Sequence, residues 1–144
     1  MINNPSIEKT KQLLKAEPSP KIIQGQNDEY NRKMLEYGKF DILLSPEAGS
    51  RKTSLRNIDS GLNHVLLVIA SKNKVSIGIN LDDLRQLNKI EKAKRIEKII
   101  QNIRLARKKS VRLAIRSIRD EKNKQSFLKS LGASSQQASE ALVF

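Results

Sequence analysis

The sequence predicts an α/β fold made of parallel (β/α) repeats with about four strands. Three observations carry that reading. Short aliphatic runs, Ile22-Ile23, Ile42-Leu43-Leu44, Val75 to Leu81 and Val111 to Arg116, are each separated from the next by a segment of helical character. The stretch Ser60-Gly61-Leu62-Asn63-His64-Val65-Leu66, then Val75-Ser76-Ile77-Gly78-Ile79-Asn80-Leu81, then a strongly basic segment reads as helix, strand, loop, helix. No two strand candidates are joined by a tight hairpin signal, so the connections read as right-handed parallel crossovers. Four strands are too few to close a (β/α) barrel alone.

The elements follow in order. Ile7 to Glu17 reads as a helix with Ser6 as N-cap, stopped by Pro18-Ser19-Pro20. Lys21 to Gly25 is a short strand. Asn27 or Asp28 caps a helix to about Tyr37, and Gly38 suits its left-handed end. Phe40 to Leu44 is a strand closed by Ser45-Pro46. Residues 46–59 read as loop. A helix capped by Ser60 then carries Leu62, Val65, Leu66 and Ile69 at helical spacing on one face. After the Val75–Leu81 strand, a long helix from about Asn88 to Lys109 buries Ile96, Ile99, Ile100, Ile103 and Ala106. Lys94, Arg95, Lys98, Lys108 and Lys109 fall on its other side. Glu121 to Leu131 and Ser135 to Leu142 are two closing helices. Residues 1–20 form an N-terminal helix and linker, and 21–144 a single (β/α) domain.

Composition narrows the partners. The chain has 144 residues, a net charge of +13 and an isoelectric point near 10.2. Residues 61–144 hold 18 Lys and Arg against 7 Asp and Glu, and residues 88–119 hold 12 against 2. Such a surface favours a polyanion. Aromatics are 3% with no Trp, so phosphate contact is a better expectation than base stacking. There is no Cys and one His, which leaves no thiolate site and no His pair for a metal. No apolar run approaches the roughly 18 residues that cross a bilayer, and Met1-Ile2-Asn3-Asn4-Pro5 has no signal-like apolar stretch. The expectation is a soluble cytoplasmic protein without a membrane partner.

Five stretches, in this order, resemble the archaeal ribonuclease P protein component 3 family: Asp41 to Pro46, Asp59 to Leu66, Asn73 to Leu81, Asn102 to Lys108 and Val111 to Ser117. The tail from Leu131-Gly132 to Ala141-Leu142 is similar to the family's closing helix. The resemblance implies a TIM-like barrel, here a truncated and partial one, short by what would be two or three βα units. It implies an RNA-binding subunit of an endoribonuclease in which a catalytic RNA, with Mg²⁺, removes the 5′ leader of precursor tRNA. The expected partners are ribonuclease P RNA, precursor tRNA indirectly, and ribonuclease P protein component 2. The protein itself would hold no cofactor, no metal and no catalytic residue. Two alternatives stay open: a structural basic protein of another ribonucleoprotein, and a free-standing TIM-like metal-dependent hydrolase or nuclease.

The candidate RNA contacts fall in three groups. Arg51, Lys52 and Arg56 lie in the loop after the second strand, and the family's basic turn corresponds either to Arg51-Lys52 or to Arg56-Asn57. Arg85 follows the third strand, and Arg116 and Arg119 flank the end of the fourth, where parallel α/β folds gather function. Lys94, Lys98, Arg104, Arg107 and Lys108 crowd the long helix, with only Glu91 and Glu97 to offset them. His64 lacks a catalytic partner and reads as structural. Asp82-Asp83 suits a helix start better than a metal. Open sheet edges would favour association with a second copy or a partner.

Overall fold

A computed structural model of the chain describes residues 1–49, 51 and 56–144. In order, the elements are α1 (Ile7–Ala16), β1 (Ile22–Gln24), α2 (Asp28–Tyr37), β2 (Ile42–Leu44), α3 (His64–Lys72), β3 (Ser76–Asn80), α4 (Leu81–Gln86), α5 (Lys89–Lys108), β4 (Leu113–Arg116), α6 (Glu121–Ser130), α7 (Ser135–Glu140) and β5 (Leu142–Val143). The five strands form one sheet in the order β1-β2-β3-β4-β5, every pair parallel. Strand order follows chain order, so the winding never reverses. That is the connectivity of a (β/α) barrel, and it lacks the switch point of a doubly wound sheet.

The sheet is also curled. Ile2 adds to the β1 edge through a parallel bridge to Ile23. Four strand spacings, about 19 Å in a flat sheet, separate Ile2 from β4. Yet Arg116 Nη1, at the end of β4, donates to Met1 Sδ at 3.2 Å. The two side chains can meet only if the sheet bends round on itself.

Both faces of the sheet are buried. Ile23, Leu43, Ile77, Ile79, Leu113 and Ile115 point to one face and share a core with Met34, Leu35, Leu67, Ile99 and Ile103 of the helices. Ile42, Leu44 and Ala114 occupy the other face, outside that core but equally buried. Gly78 sits among them: a Cβ there would lie 2.8 Å from Ile42 Cγ2 and 3.0 Å from Leu44 Cδ1. Burial on both sides explains why the strands read as continuous apolar runs rather than alternating ones.

Helix starts are set by side chains that accept from the first turn: Ser6, Asn27, Asn63, Asn80, Asn88, Asp120 and Ser134. Ser134 and Gln137 complete a reciprocal capping box. The N-terminal segment is tied in as well. Leu14 is buried, the Thr10 hydroxyl meets Tyr30 Oη at 3.0 Å, and Lys21 Nζ donates to Leu14 O at 2.7 Å.

Three elements differ from the sequence expectation. α3 begins at His64 under an Asn63 cap, not at Ser60. Gly61 has φ +79, which no right-handed helix admits, so Ser60 is left buried before the helix. α4 is a separate short helix where the sequence marks only a helix start at Asp82-Asp83; Asn80 caps it and Leu81 and Leu84 bury it. The last helix stops at Glu140, because Ala141 turns extended and Leu142 pairs with Ala114 as a fifth strand.

Gly61 gives a direct test of how the long loop is seated. A Cβ at residue 61 would lie 2.1 Å from the Pro46 carbonyl oxygen on a left-handed backbone. Gly61→Ala is expected to lower stability by roughly 2–4 kcal/mol in urea unfolding, from backbone strain and overpacking together. A loss under about 0.5 kcal/mol would show that the loop yields freely.

Candidate nucleic-acid interface

The C-terminal ends of the strands form one rim of the molecule, and some of its cations are paired with acids there. Arg51 is nearly buried, with its side chain 7% exposed. Its Nε donates to Pro46 O at 3.2 Å, Nη2 to Gln26 O at 2.9 Å, and Nη1 to Asp59 Oδ1 at 3.3 Å and to Asp28. This guanidinium ties the loop after β2 to the β1–α2 turn and has little left for a phosphate. Lys52 lies outside the described residues. Arg56 is exposed. Arg85 pairs with Asp82 at 3.1 Å. Asp82 also accepts from the Ser117 hydroxyl, and that bond, followed by Arg85, holds its carboxyl below the usual range. Asp82 and Asp83 thus occupy the first turn of α4, as acids at a helix start do. Arg116 is half-buried against Met1, and Arg119 is exposed.

The middle of α5 corrects the sequence reading. Arg95 and Lys98 do not face open solvent. Lys98 is buried, and the Arg95 side chain is 14% exposed. Glu47, Ile58 and Ser60 of the β2–α3 connection lie against this side of the helix. Gln101 Nε2 donates to Ile58 O at 3.0 Å, Asn102 Nδ2 to Ser60 O at 3.1 Å, and Arg95 Nε to Glu47 Oε1 at 3.0 Å. Residues 95, 98 and 102, at i, i+3 and i+7, therefore form a second covered stripe beside Ile99, Ile103 and Ala106. Lys94 stays exposed, 3.8 Å from Glu91. Glu47 is buried, and burial pushes its carboxyl pKa up despite the opposing Arg95 charge.

The other end of α5 is different. The helix runs antiparallel to the strands it connects, so Arg104, Arg107 and Lys108 lie at their N-terminal ends. Thirteen residues separate Lys94 from Arg107, about 20 Å of helix. Arg104, Arg107 and Lys108 are exposed, and among the described residues none has an acidic partner within 4 Å. Lys74 and Arg112 join them at this end, also exposed and without an acid. Sequence reasoning missed both. The signal was there: each flanks a helix-to-strand turn that precedes a buried strand.

The candidate residues are thus divided between two ends. At the rim, Asp28, Asp59, Glu47, Asp82 and Asp83 pair with Arg51, Arg85 and Arg95, while Arg56, Arg116 and Arg119 have no acid within 4 Å among the described residues. At the opposite end the positive charge is free. His64 is exposed at the start of α3. Among the described residues no group of three or more His, Asp or Glu could hold a metal ion, and no helix is long and apolar enough to cross a membrane.

Comparison with known proteins bears on this layout. The chain is 30% identical over 96 residues to ribonuclease P protein component 3 of Methanococcus maripaludis, covering 67% of this chain and 38% of that protein. It is 33% identical over 96 residues to the component 3 of Methanococcus vannielii, with the same coverage. The Methanocaldococcus jannaschii component 3 is 33% identical over 94 residues, 65% of this chain and 38% of that protein. Over 94–96 residues the chain is thus similar in sequence to ribonuclease P protein component 3. It spans 38% of the length of these curated relatives. No protein-family model matches it. Its fold is that of a chain in the cryo-EM structure of archaeal ribonuclease P with mature tRNA. The TM-score is 0.77 at 24% identity, over 97% of this chain and 60% of that one. The truncated TIM-like architecture expected from the sequence is therefore the one observed, with five strands instead of four.

Two outcomes check this division of the component 3-like surface. Arg51→Ala is expected to cost about 2 kcal/mol, since it leaves the part-buried carbonyls of Pro46 and Gln26 unpaired and removes the tie to Asp28 and Asp59. Arg104→Ala should stay within about 0.5 kcal/mol; equal effects would mean that Arg51 is not structural. The second outcome concerns Glu47. A carboxyl whose pKa is raised by folding binds more protons in the folded state between its ordinary value near 4.5 and the raised one. Its contribution to stability therefore falls as pH rises through that window. Relative to wild type, Glu47→Gln should gain in Tm as pH increases upward from 4.5. A difference independent of pH would show that Glu47 ionises normally.

Proposed function

We propose that this chain is an RNA-binding protein subunit of ribonuclease P. In that role it supports RNA-catalysed removal of the 5′ leader from precursor tRNA in the cytoplasm. The observation that carries the proposal is the similarity of 94–96 residues to several ribonuclease P component 3 proteins. The fold likeness to a chain of an RNA-containing ribonuclease P assembly and the net charge of +13 support it. Catalysis is assigned to the RNA with bound Mg²⁺, and the protein's part is to neutralise phosphates and hold the RNA fold. Ribonuclease P protein component 2 is the proposed protein partner. The open outer edge of β5, where Leu142 and Val143 are partly exposed, leaves room for further association.

The test is to sequence RNA that copurifies with the tagged chain from its native host. Enrichment of ribonuclease P RNA is expected, and addition of the protein should raise precursor tRNA cleavage by that RNA. Enrichment of ribosomal RNA alone would favour a structural role in another particle. Mg²⁺-dependent cleavage by RNA-free protein, lost in Asp82→Asn with Asp83→Asn, would instead make the chain a nuclease in its own right.

A further inference from the structure

The turns that end α3 and α5 are built alike. Lys74 N–H donates to Ser71 O at 3.2 Å and Val75 N–H to Ala70 O at 2.9 Å. Ser110 N–H donates to Arg107 O at 3.3 Å and Val111 N–H to Ala106 O at 2.9 Å. This paired bonding closes a helix with one left-handed residue, and glycine is the usual occupant. Gly38 and Gly132 fill the left-handed place after α2 and α6, with φ +66 and +91. Lys74 and Ser110 fill it here, at φ +56 and +54. A side chain on such a backbone costs roughly 1–2 kcal/mol. The chain uses glycine at two of these four turns and forgoes it at the other two, which points to a use for what stands there.

Between these two turns lies a cleft of about 620 Å³ at the N-terminal ends of β3 and β4. Lys74 enters from one turn, and Arg107 and Arg112 from the other. The floor includes Val75 and Val111, both buried, so the charges stand over a dry surface that focuses their field. Ser110 and Ser135 add hydroxyls. Glu140 is the single carboxylate of the lining, and its Oε1 already accepts from Gln136 Nε2 at 3.1 Å. No aromatic side chain lines the cleft. Outside it, Arg104 and Lys108 flank Arg107 at i−3 and i+1, which carries the positive band onward along α5.

We infer that this cleft seats the sugar–phosphate backbone of an RNA strand, at the end of the sheet opposite the rim where parallel α/β proteins usually bind ligands. The inference rests on the RNA-binding reading and assigns it a place. A band that continues past the cleft fits a polymer better than a lone anion. Cations and hydroxyls without aromatics fit phosphate and sugar contact without base selection.

The test compares two triple variants of the full chain, binding a poly(U) oligonucleotide across a salt series. Lys74→Gln, Arg107→Gln and Arg112→Gln together should lower the log–log salt slope by roughly 2, at about 0.7 per lost phosphate contact. Between 50 and 200 mM salt the wild type should then lose roughly twentyfold more affinity than the variant, as that slope difference requires. Arg56→Gln, Arg85→Gln and Arg119→Gln, equal in charge but on the rim, should leave the slope within roughly 0.5. Salt-dependent binding that the cleft variant leaves unmoved overturns the cleft and spares the RNA-binding reading. Wild-type protein that fails to bind RNA in a salt-dependent way overturns both. If the cleft variant does not fold, amine acetylation of the wild type decides. Poly(U) should protect Lys74, and protection by poly-glutamate but not by RNA would overturn the proposal.

Discussion

Parallel pairing in chain order is the constraint on which the rest depends. A parallel strand cannot follow its neighbour through a hairpin, so each pair requires a crossover of a dozen residues or more. Repeating that crossover without reversal puts all strand C-termini at one end and the C-termini of the main crossover helices α2, α3 and α5 at the other. The sheet then curls, and its second face must fill with side chains small enough for the curvature. Gly78 on the central strand meets that need between Ile42 and Leu44. Placing Met1 against Arg116 from opposite sides of the sheet is the visible result.

That polarity also sorts the charges. The strand-to-helix turns at the rim need acids and amides to begin the next helix. Asp28, Asp82 and Asp83 therefore arrive with the capping residues, and the arginines nearby are drawn to them. Helix ends at the opposite side favour cations, which complement the negative end of the dipole. Arg107 and Lys108 close α5, and Lys72 closes α3, with no acid in either last turn. An uneven charge distribution thus follows from ordinary helix preferences once the main crossover helices α2, α3 and α5 point the same way. The excess of free cations at one end is that preference taken past what capping requires.

Much of this was legible in the sequence. The long helix is bounded by Asn88 and its isoleucine stripe is a strong periodic signal, so its extent was read almost to the residue. Gly38 marked the end of α2 for a steric reason that needs no tertiary knowledge. The misses share a physical origin. Ser60 is as good a cap as Asn63 by residue type, and only the left-handed Gly61 decides between them. Leu142-Val143 is too short to show a period and becomes a strand only because β4 offers a free edge. Lys98 looked solvent-facing because the helix was read with one buried stripe. The loop that covers the second stripe is invisible to a periodicity argument, since its hold on α5 comes through Gln101, Asn102 and Arg95 over forty or more positions in the chain.

The site was less legible than the fold, and the reason is general. Composition reports how much charge a chain carries, not how much of it is already neutralised. Arg51 and Arg104 are equivalent in sequence terms: each is an arginine in a basic neighbourhood. In the structure the first is a nearly buried tie between two loops, whereas the second stands in solvent without an acid in reach. A surface that binds a polyanion has to be assembled from cations of the second kind, because release of counterions from phosphate needs charges that are not already paired. Cations of that kind stand at the end of the sheet that carries Lys74, Arg104, Arg107, Lys108 and Arg112, each exposed and without an acid within 4 Å among the described residues.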